Sequence, residues 1–180
     1  PIPVPKFKFR NFLFFLSILI PLFGYAQMPN ILDLKSRAET RDAWLQERME
    51  TVLPNLMRRT GIDCWLLISR EYNEDPIIKT MLPPTWLNAR RTTILVFSLD
   101  KKTKKFESVA IARYAFGDNI PSIWDKDKQP NQWEALKDYI VSKNPEKIGL
   151  NISSYESLAD GLSKYHYCLL YTSPSPRDAS

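Results

Sequence analysis

Between residues 36 and 60, apolar side chains recur every three or four positions, at Trp44, Leu45, Met49, Val52, Leu53, Leu56 and Met57, while Arg41, Glu47, Arg48, Glu50 and Arg58 fill the intervening places. That spacing predicts an amphipathic helix whose stripe, tryptophan and methionines included, packs into a core. Ser36, with Glu39 three residues on, has the form of a capping box. Pro54 predicts a kink or a restart, because it has no N–H to donate and its ring crowds the preceding turn. Gly61 stands where such a helix ends.

The pattern then changes period. Residues 62–69 are an uninterrupted apolar run between Gly61 and Arg70-Glu71, which predicts a strand buried on both faces. Residues 71–90 contain Pro76 and Pro83-Pro84 and are expected to form a loop without regular structure. Two β-branched and apolar runs, 92–99 and 106–113, flank a turn at 100–105 and predict an antiparallel hairpin. After a loop at 117–131, Trp133, Leu136, Ile140 and Val141 follow helical spacing up to Pro145. Residues 147–152 predict a short strand, and Ser153 or Ser154 is placed to cap a last helix running to about residue 165. Helix, strand, hairpin, helix, strand, helix in this order predicts an α/β fold: a mixed sheet flanked by helices.

The two ends read differently from this middle. Lys6, Lys8 and Arg10 precede an apolar run at 12–23, and Gly24-Tyr25-Ala26 supplies small residues at a cleavage position. This is the layout of a signal peptide over 1–26, with export to the periplasm or beyond and contact with the membrane only in transit. A spanning anchor is the other reading, but it needs about 20 apolar residues and Pro21 interrupts the run. Residues 168–180, Ser/Pro-rich toward their end, break the helical pattern and read either as translated adapter sequence or as a natural disordered tail. Residues 27–167 are then one domain, long enough for its own core.

Charge adds a negative result. The chain has 25 Lys+Arg against 20 Asp+Glu; setting the two ends aside leaves 21 against 19, or +2. Basic residues alternate with acids along the chain, so no stripe for nucleic acid is expected. Lys101-Lys102-Thr103-Lys104-Lys105 is the one dense basic cluster and reads as a solvated hairpin loop. With Cys168 in the tail, Cys64 has no partner for a disulfide and reads as a small buried hydrophobe.

Few residues point to chemistry. His166 is the single histidine, so no histidine-based zinc site is expected, and five glycines compose no phosphate-binding loop. What stands out is the polar segment Arg70, Glu71, Tyr72, Asn73, Glu74 and Asp75, placed directly after the buried strand, with Trp86, Arg90 and Arg91 before the next one. Ligands of α/β sheets gather at the carboxyl ends of strands. Two readings stand for these residues: an internal Arg–carboxylate ion-pair network that fixes the loop, or a rim facing substrate or partner, in which an arginine holds a peptide carboxylate.

Several stretches also carry a likeness. In order they are Trp44-Leu45-Gln46-Glu47-Arg48, Leu53-Pro54-Asn55-Leu56-Met57-Arg58-Arg59, and the Arg70-Glu71-Tyr72-Asn73-Glu74-Asp75-Pro76 loop. Then come Pro84-Thr85-Trp86, Ala89-Arg90-Arg91-Thr92-Thr93, Gln129-Pro130-Asn131-Gln132-Trp133 and Lys147-Ile148-Gly149-Leu150-Asn151. Together they resemble the N-terminal domain of secreted bacterial metallopeptidases of the Xaa-Pro aminopeptidase (creatinase, or pita-bread) family, over residues 31–167. The resemblance implies a ribonuclease-H-like α/β unit, followed in the parent by a C-terminal catalytic domain with two divalent ions (manganese, cobalt or zinc). Such a metal pair activates water for hydrolysis of a peptide substrate. Its ligands belong to that further domain, so no metal or catalytic position is carried onto this sequence, and the chain by itself is expected to be inactive. The implied partners are the catalytic domain and further copies in a homo-oligomer, with the N-terminal domain helping assembly and closing one side of the substrate site. The alternative is a free-standing extracellular binding module of the same fold.

Overall fold

In a computed structural model the chain divides into two compact units, Pro1–Asp33 and Leu34–Ser180, and every element below belongs to the second. The structure describes residues 31–72, 74–100, 102–152 and 162–172. The expected signal peptide and its cleavage position, Asn73, and the cap at Ser153 or Ser154 lie outside the described residues.

Helix α1 (Leu34–Glu47) passes through a π turn (Arg48–Val52) into α2 (Leu53–Thr60). Spacing explains the π turn. The buried residues Leu45, Met49, Leu53 and Met57 stand four apart. In an α-helix four residues overshoot one turn by about 40°, so three such steps would swing the line about 120° away from the core. The wider turn takes up the excess, with the Leu53 N–H donating to the carbonyl of Arg48, five residues back. It also falls where Pro54 has no N–H to offer Glu50. Pro54 thus restarts the helix, and Gly61 closes it in the left-handed region at φ 67°.

The apolar stripe is narrower than the periodicity predicts. Trp44, Val52 and Leu56 are 59, 50 and 38 % exposed. They lie one residue before the buried line, on its outer flank. Ser36 does not stand at the cap position either. The helix already begins at Leu34, and the carbonyl of Ser36 accepts from Thr40 Oγ1 at 2.7 Å inside the first turn.

The chain continues through β1 (Cys64–Arg70), α3 (Pro76–Met81), β2 (Thr92–Leu99), β3 (Phe106–Ile111), α4 (Gln132–Lys143), β4 (Ile148–Leu150) and α5 (Lys164–Thr172). Four strands form one mixed sheet in the order β3-β2-β1-β4. β2 pairs antiparallel with β1 and with β3, whereas β4 runs parallel to β1. β1 is central, as its uninterrupted apolar run predicts, with its inner residues buried on both faces. Alternation sorts the side chains. Cys64, Leu66 and Ile68 join Ile94, Val96 and Val109 against Leu136 of α4. Leu67 joins Leu95, Phe97 and Ala110 on the opposite face, against the Leu45–Met57 line. The result is an α/β fold whose mixed sheet has helices on both faces.

Local chemistry sets the connections. Asp100 closes the hairpin by accepting at Oδ1 from the N–H groups of Lys102 and Thr103 and from Thr103 Oγ1. Those bonds, chiefly from Thr103, hold its carboxyl below the usual range. Asn131 caps α4 through the N–H groups of Trp133 and Glu134, and Asn144, at φ 44°, ends it before Pro145.

Two segments depart from expectation. Residues 71–90 are not wholly irregular. Pro76 occupies the first turn of α3, where its fixed φ suits a helix and no N–H is needed, and Asp75 caps it. At the other end, α5 opens at Ser163, whose Oγ accepts from the N–H of His166, and runs past residue 165 to Thr172. Leu170 packs against the α4-side core there, which favours continuing the helix.

Leu53 and its neighbour Val52 test the line of burial. Leu53→Ala is expected to lose about 2–5 kcal/mol of stability. Val52→Ala should stay within about 0.5 kcal/mol. Urea unfolding measures both; equal losses would contradict the described stripe.

Candidate functional site

β1 and β4 are parallel, so their carboxyl ends point the same way, and the segments leaving them meet. Asp75 follows β1, is 1 % exposed, and divides its carboxylate between two jobs. Oδ1 accepts from the N–H of Ile77 at 2.7 Å, capping α3, while Oδ2 accepts from Nδ2 of Asn151, just after β4, at 2.7 Å. The Oδ1 of Asn151 in turn accepts from Nε1–H of Trp65 at 2.8 Å. A continuous polar chain, Trp65–Asn151–Asp75–Ile77, therefore ties the central strand, the edge strand and the loop helix together. Buried polar groups joined in this way are costly to separate, because each lost partner leaves another unsatisfied.

The loop's mouth is closed by backbone bonds. The Glu71 N–H donates to the carbonyl of Arg91 at 2.7 Å, and the Arg91 N–H donates to Glu71 Oε2 at 3.1 Å. Tyr72 and Arg91 both sit in the left-handed region, at φ 68° and 53°, an arrangement that non-glycine residues adopt only when held there. Tyr72 is consequently turned out to solvent, 90 % exposed.

Arg90 lies in an aromatic setting. Its guanidinium carbon is 5.0 Å from the Trp86 ring centre and 5.4 Å from that of Tyr114. Trp86 rests on Phe116, ring centres 4.9 Å apart, and Phe116 is buried in the core. The arginine is thereby held by cation–π contact on a rigid base while remaining exposed.

Of the sequence-predicted site residues, the structure brings Glu71 to Arg91 and Trp86 to Arg90, leaves Tyr72 pointing outward, and places Arg70 exposed at the end of β1. Asn73 is outside the described residues. The expected Arg–carboxylate network is not formed: among the described residues, no ion pair links Arg70, Arg90 or Arg91 to an acid. The physical reason is that the carboxylates are engaged elsewhere. Glu71 serves a backbone N–H, Asp75 serves Ile77 and Asn151, and Glu74 lies 4.0 Å from Lys79 with its own side chain 9 % exposed. Among the described residues, buried oxygens of Ser69 and Glu74 have no hydrogen-bond partner.

Asn151, Trp65 and Tyr114 were not singled out by sequence. The Asp-Pro step at 75–76 was a legible signal for a helix cap; nothing local marks Asn151, whose partners lie 76 and 86 residues away.

Cys64 and His166 are withdrawn from solvent, whereas Cys168 is exposed. Burial, aided by the negative charge of Asp63, pushes the Cys64 thiol up to about 12. His166 is 6 % exposed beside Trp133, ring centres 5.2 Å apart; burial first, then the charge of Arg70, lowers its pKa. Among the described residues, no group of three or more His, Cys, Asp or Glu is gathered to hold a metal ion.

Comparisons with protein-family models, with curated proteins and with solved structures find no match to this chain.

Asn151→Ala should cost about 1–3 kcal/mol in thermal or urea unfolding, because it strands both the Trp65 indole and an Asp75 oxygen. A neutral result would show that water replaces the amide. In Cys168→Ser, which removes the exposed second thiol, Cys64 should resist iodoacetamide at pH 8 in the folded chain and react once guanidinium unfolds it; alkylation of Cys64 under native conditions would contradict its burial.

Proposed function

We propose that the chain is the N-terminal, non-catalytic domain of an exported Xaa-Pro aminopeptidase-like metallopeptidase, of the ribonuclease-H-like type, serving assembly and closure of the substrate site. The observation that carries this reading is the rim after β1. Its carboxylates are committed to internal bonds, while Tyr72, Arg70, Arg90 and Arg91 are presented outward from a fixed backbone. Such a rim positions side chains for a neighbour or a peptide; it brings no nucleophile and base together. The ordered likeness of the rim and flanking stretches to the family supports the same assignment, as does the mixed sheet covered on both faces.

On this reading Arg90 faces the peptide or the adjoining domain, with Trp86 and Tyr114 holding its charge in place. The chain alone should show no turnover of Xaa-Pro dipeptides with manganese, cobalt or zinc added; metal-dependent hydrolysis would overturn the proposal. In the catalytically complete protein, Arg90→Ala should raise KM about tenfold or shift the oligomer, whereas Arg90→Lys keeps the charge and should recover part of the loss. Unchanged KM and unchanged oligomeric state would remove Arg90 from the rim.

A further inference from the structure

Helix α5 lies against the α4 side of the sheet, and the residue at the centre of its contact is titratable. Leu162, just before the helix, is buried in the α4-side core, and Leu170 packs against that core from the other end. His166 stands between them, four residues from each, and is itself 6 % exposed. A four-residue step keeps 166 and 170 on one side of the helix. The neighbours Tyr165, Tyr167 and Cys168 are exposed to water. A narrow seam therefore holds α5, and an imidazole occupies its middle.

Each element packed on His166 presents a definite group. From the first turn of α4 comes Trp133, ring centres 5.2 Å apart. The carboxyl end of β1 contributes Arg70, whose charge acts on the imidazole. Within α5 the Tyr165 ring centre lies 5.9 Å away, and Ser163 Oγ accepts from the backbone N–H of His166. None of these groups is a carboxylate that could offset an imidazolium. Among the described residues, the buried Nδ1 has no hydrogen-bond partner. A neutral ring can leave that nitrogen as a bare lone pair. A protonated ring must place an N–H there, facing no acceptor, and a second positive charge beside the arginine.

We propose that α5 is an acid-released strap: it stays docked while His166 is neutral, and on protonation of the imidazole it leaves the seam and bares Trp133 of α4. Burial first, then Arg70, hold this histidine below its ordinary value of about 6.5, so the docked helix takes up the proton less readily than the free one. Docking is therefore at full strength above that value and weakens as the pH falls beneath it. The sheet does not depend on the strap. β1 is covered by the α1–α2 line on one face and by Leu136 of α4 on the other, and both covers remain when α5 leaves. The inference is independent of the peptidase reading.

The test is the mobility of a nitroxide on Cys168 in the full chain, followed by electron spin resonance from pH 7.5 to pH 5. Cys168 is exposed, whereas Cys64 is buried with its thiol pushed up to about 12, so the label goes to α5. The mobile component is expected to grow about threefold over this range while circular dichroism stays unchanged. His166→Phe keeps an apolar ring in the seam and should hold the label immobile throughout. Arg70→Gln should release less helix at pH 5 than the unaltered chain, because removing the neighbouring charge brings the docked and free pKa values closer. An unchanged line shape overturns the proposal, as does a transition that persists in His166→Phe or a loss of circular dichroism in step with the label. Should His166→Phe lack the native circular dichroism at pH 7.5, Arg70→Gln decides: release equal to or greater than that of the unaltered chain overturns the strap.

Discussion

A strand buried on both faces has to be covered twice, and β1 imposes that requirement on the rest of the chain. Residues 64–70 offer no polar face, so apolar partners must come from above and below as well as from both edges. The α1–α2 line supplies one cover and α4 the other; β2 and β4 satisfy the backbone on either side. The π turn follows from the same demand, since it keeps residues four apart in register with the sheet. Cys64 belongs to this logic too. At a site with no room for charge its thiol is a packing group, and its raised pKa is a consequence of burial rather than a sign of chemistry.

Polar bonds then act where the apolar layers end. Trp65, Asn151 and Asp75 form a chain that passes from the middle of the sheet to the loop helix, each member using a group that would otherwise be buried without a partner. Asp75 and Glu71 are engaged by donors within the scaffold, and the loop's outward side is formed by Tyr72 and the arginines. Cation–π contact does for Arg90 what a salt bridge does elsewhere, fixing the guanidinium without cancelling its charge.

The two outward surfaces are built on different principles. At the rim, the backbone itself is constrained, with Tyr72 and Arg91 at positive φ and Glu71 and Arg91 exchanging bonds. On the α1–α2 flank the backbone is an ordinary helix apart from its π turn, and the pattern of side chains carries the information. A rim of fixed geometry fits the proposed role beside a peptide or a second domain.

The period of the apolar residues, read alone, located a helix over 36–60 and another from Trp133 to before Pro145, the central strand, the hairpin and a short strand at 147–152, whose parallel pairing only the sheet shows. Proline and glycine located the restart at 54 and the stop at 61. These are local properties: a side chain's direction along a helix or strand is set by its own backbone. The same periodicity overestimated the buried stripe, because Trp44, Val52 and Leu56 differ from Leu45, Leu53 and Met57 by about a quarter turn, and only the packed sheet defines which side is inside. It also presented Arg70, Glu71, Asp75 and Arg91 as natural ion-pair partners. Tertiary structure decided otherwise, since carboxylates bond to whatever donors the fold brings within reach, and here those are an asparagine 76 residues on and the N–H groups of a turn and a helix start.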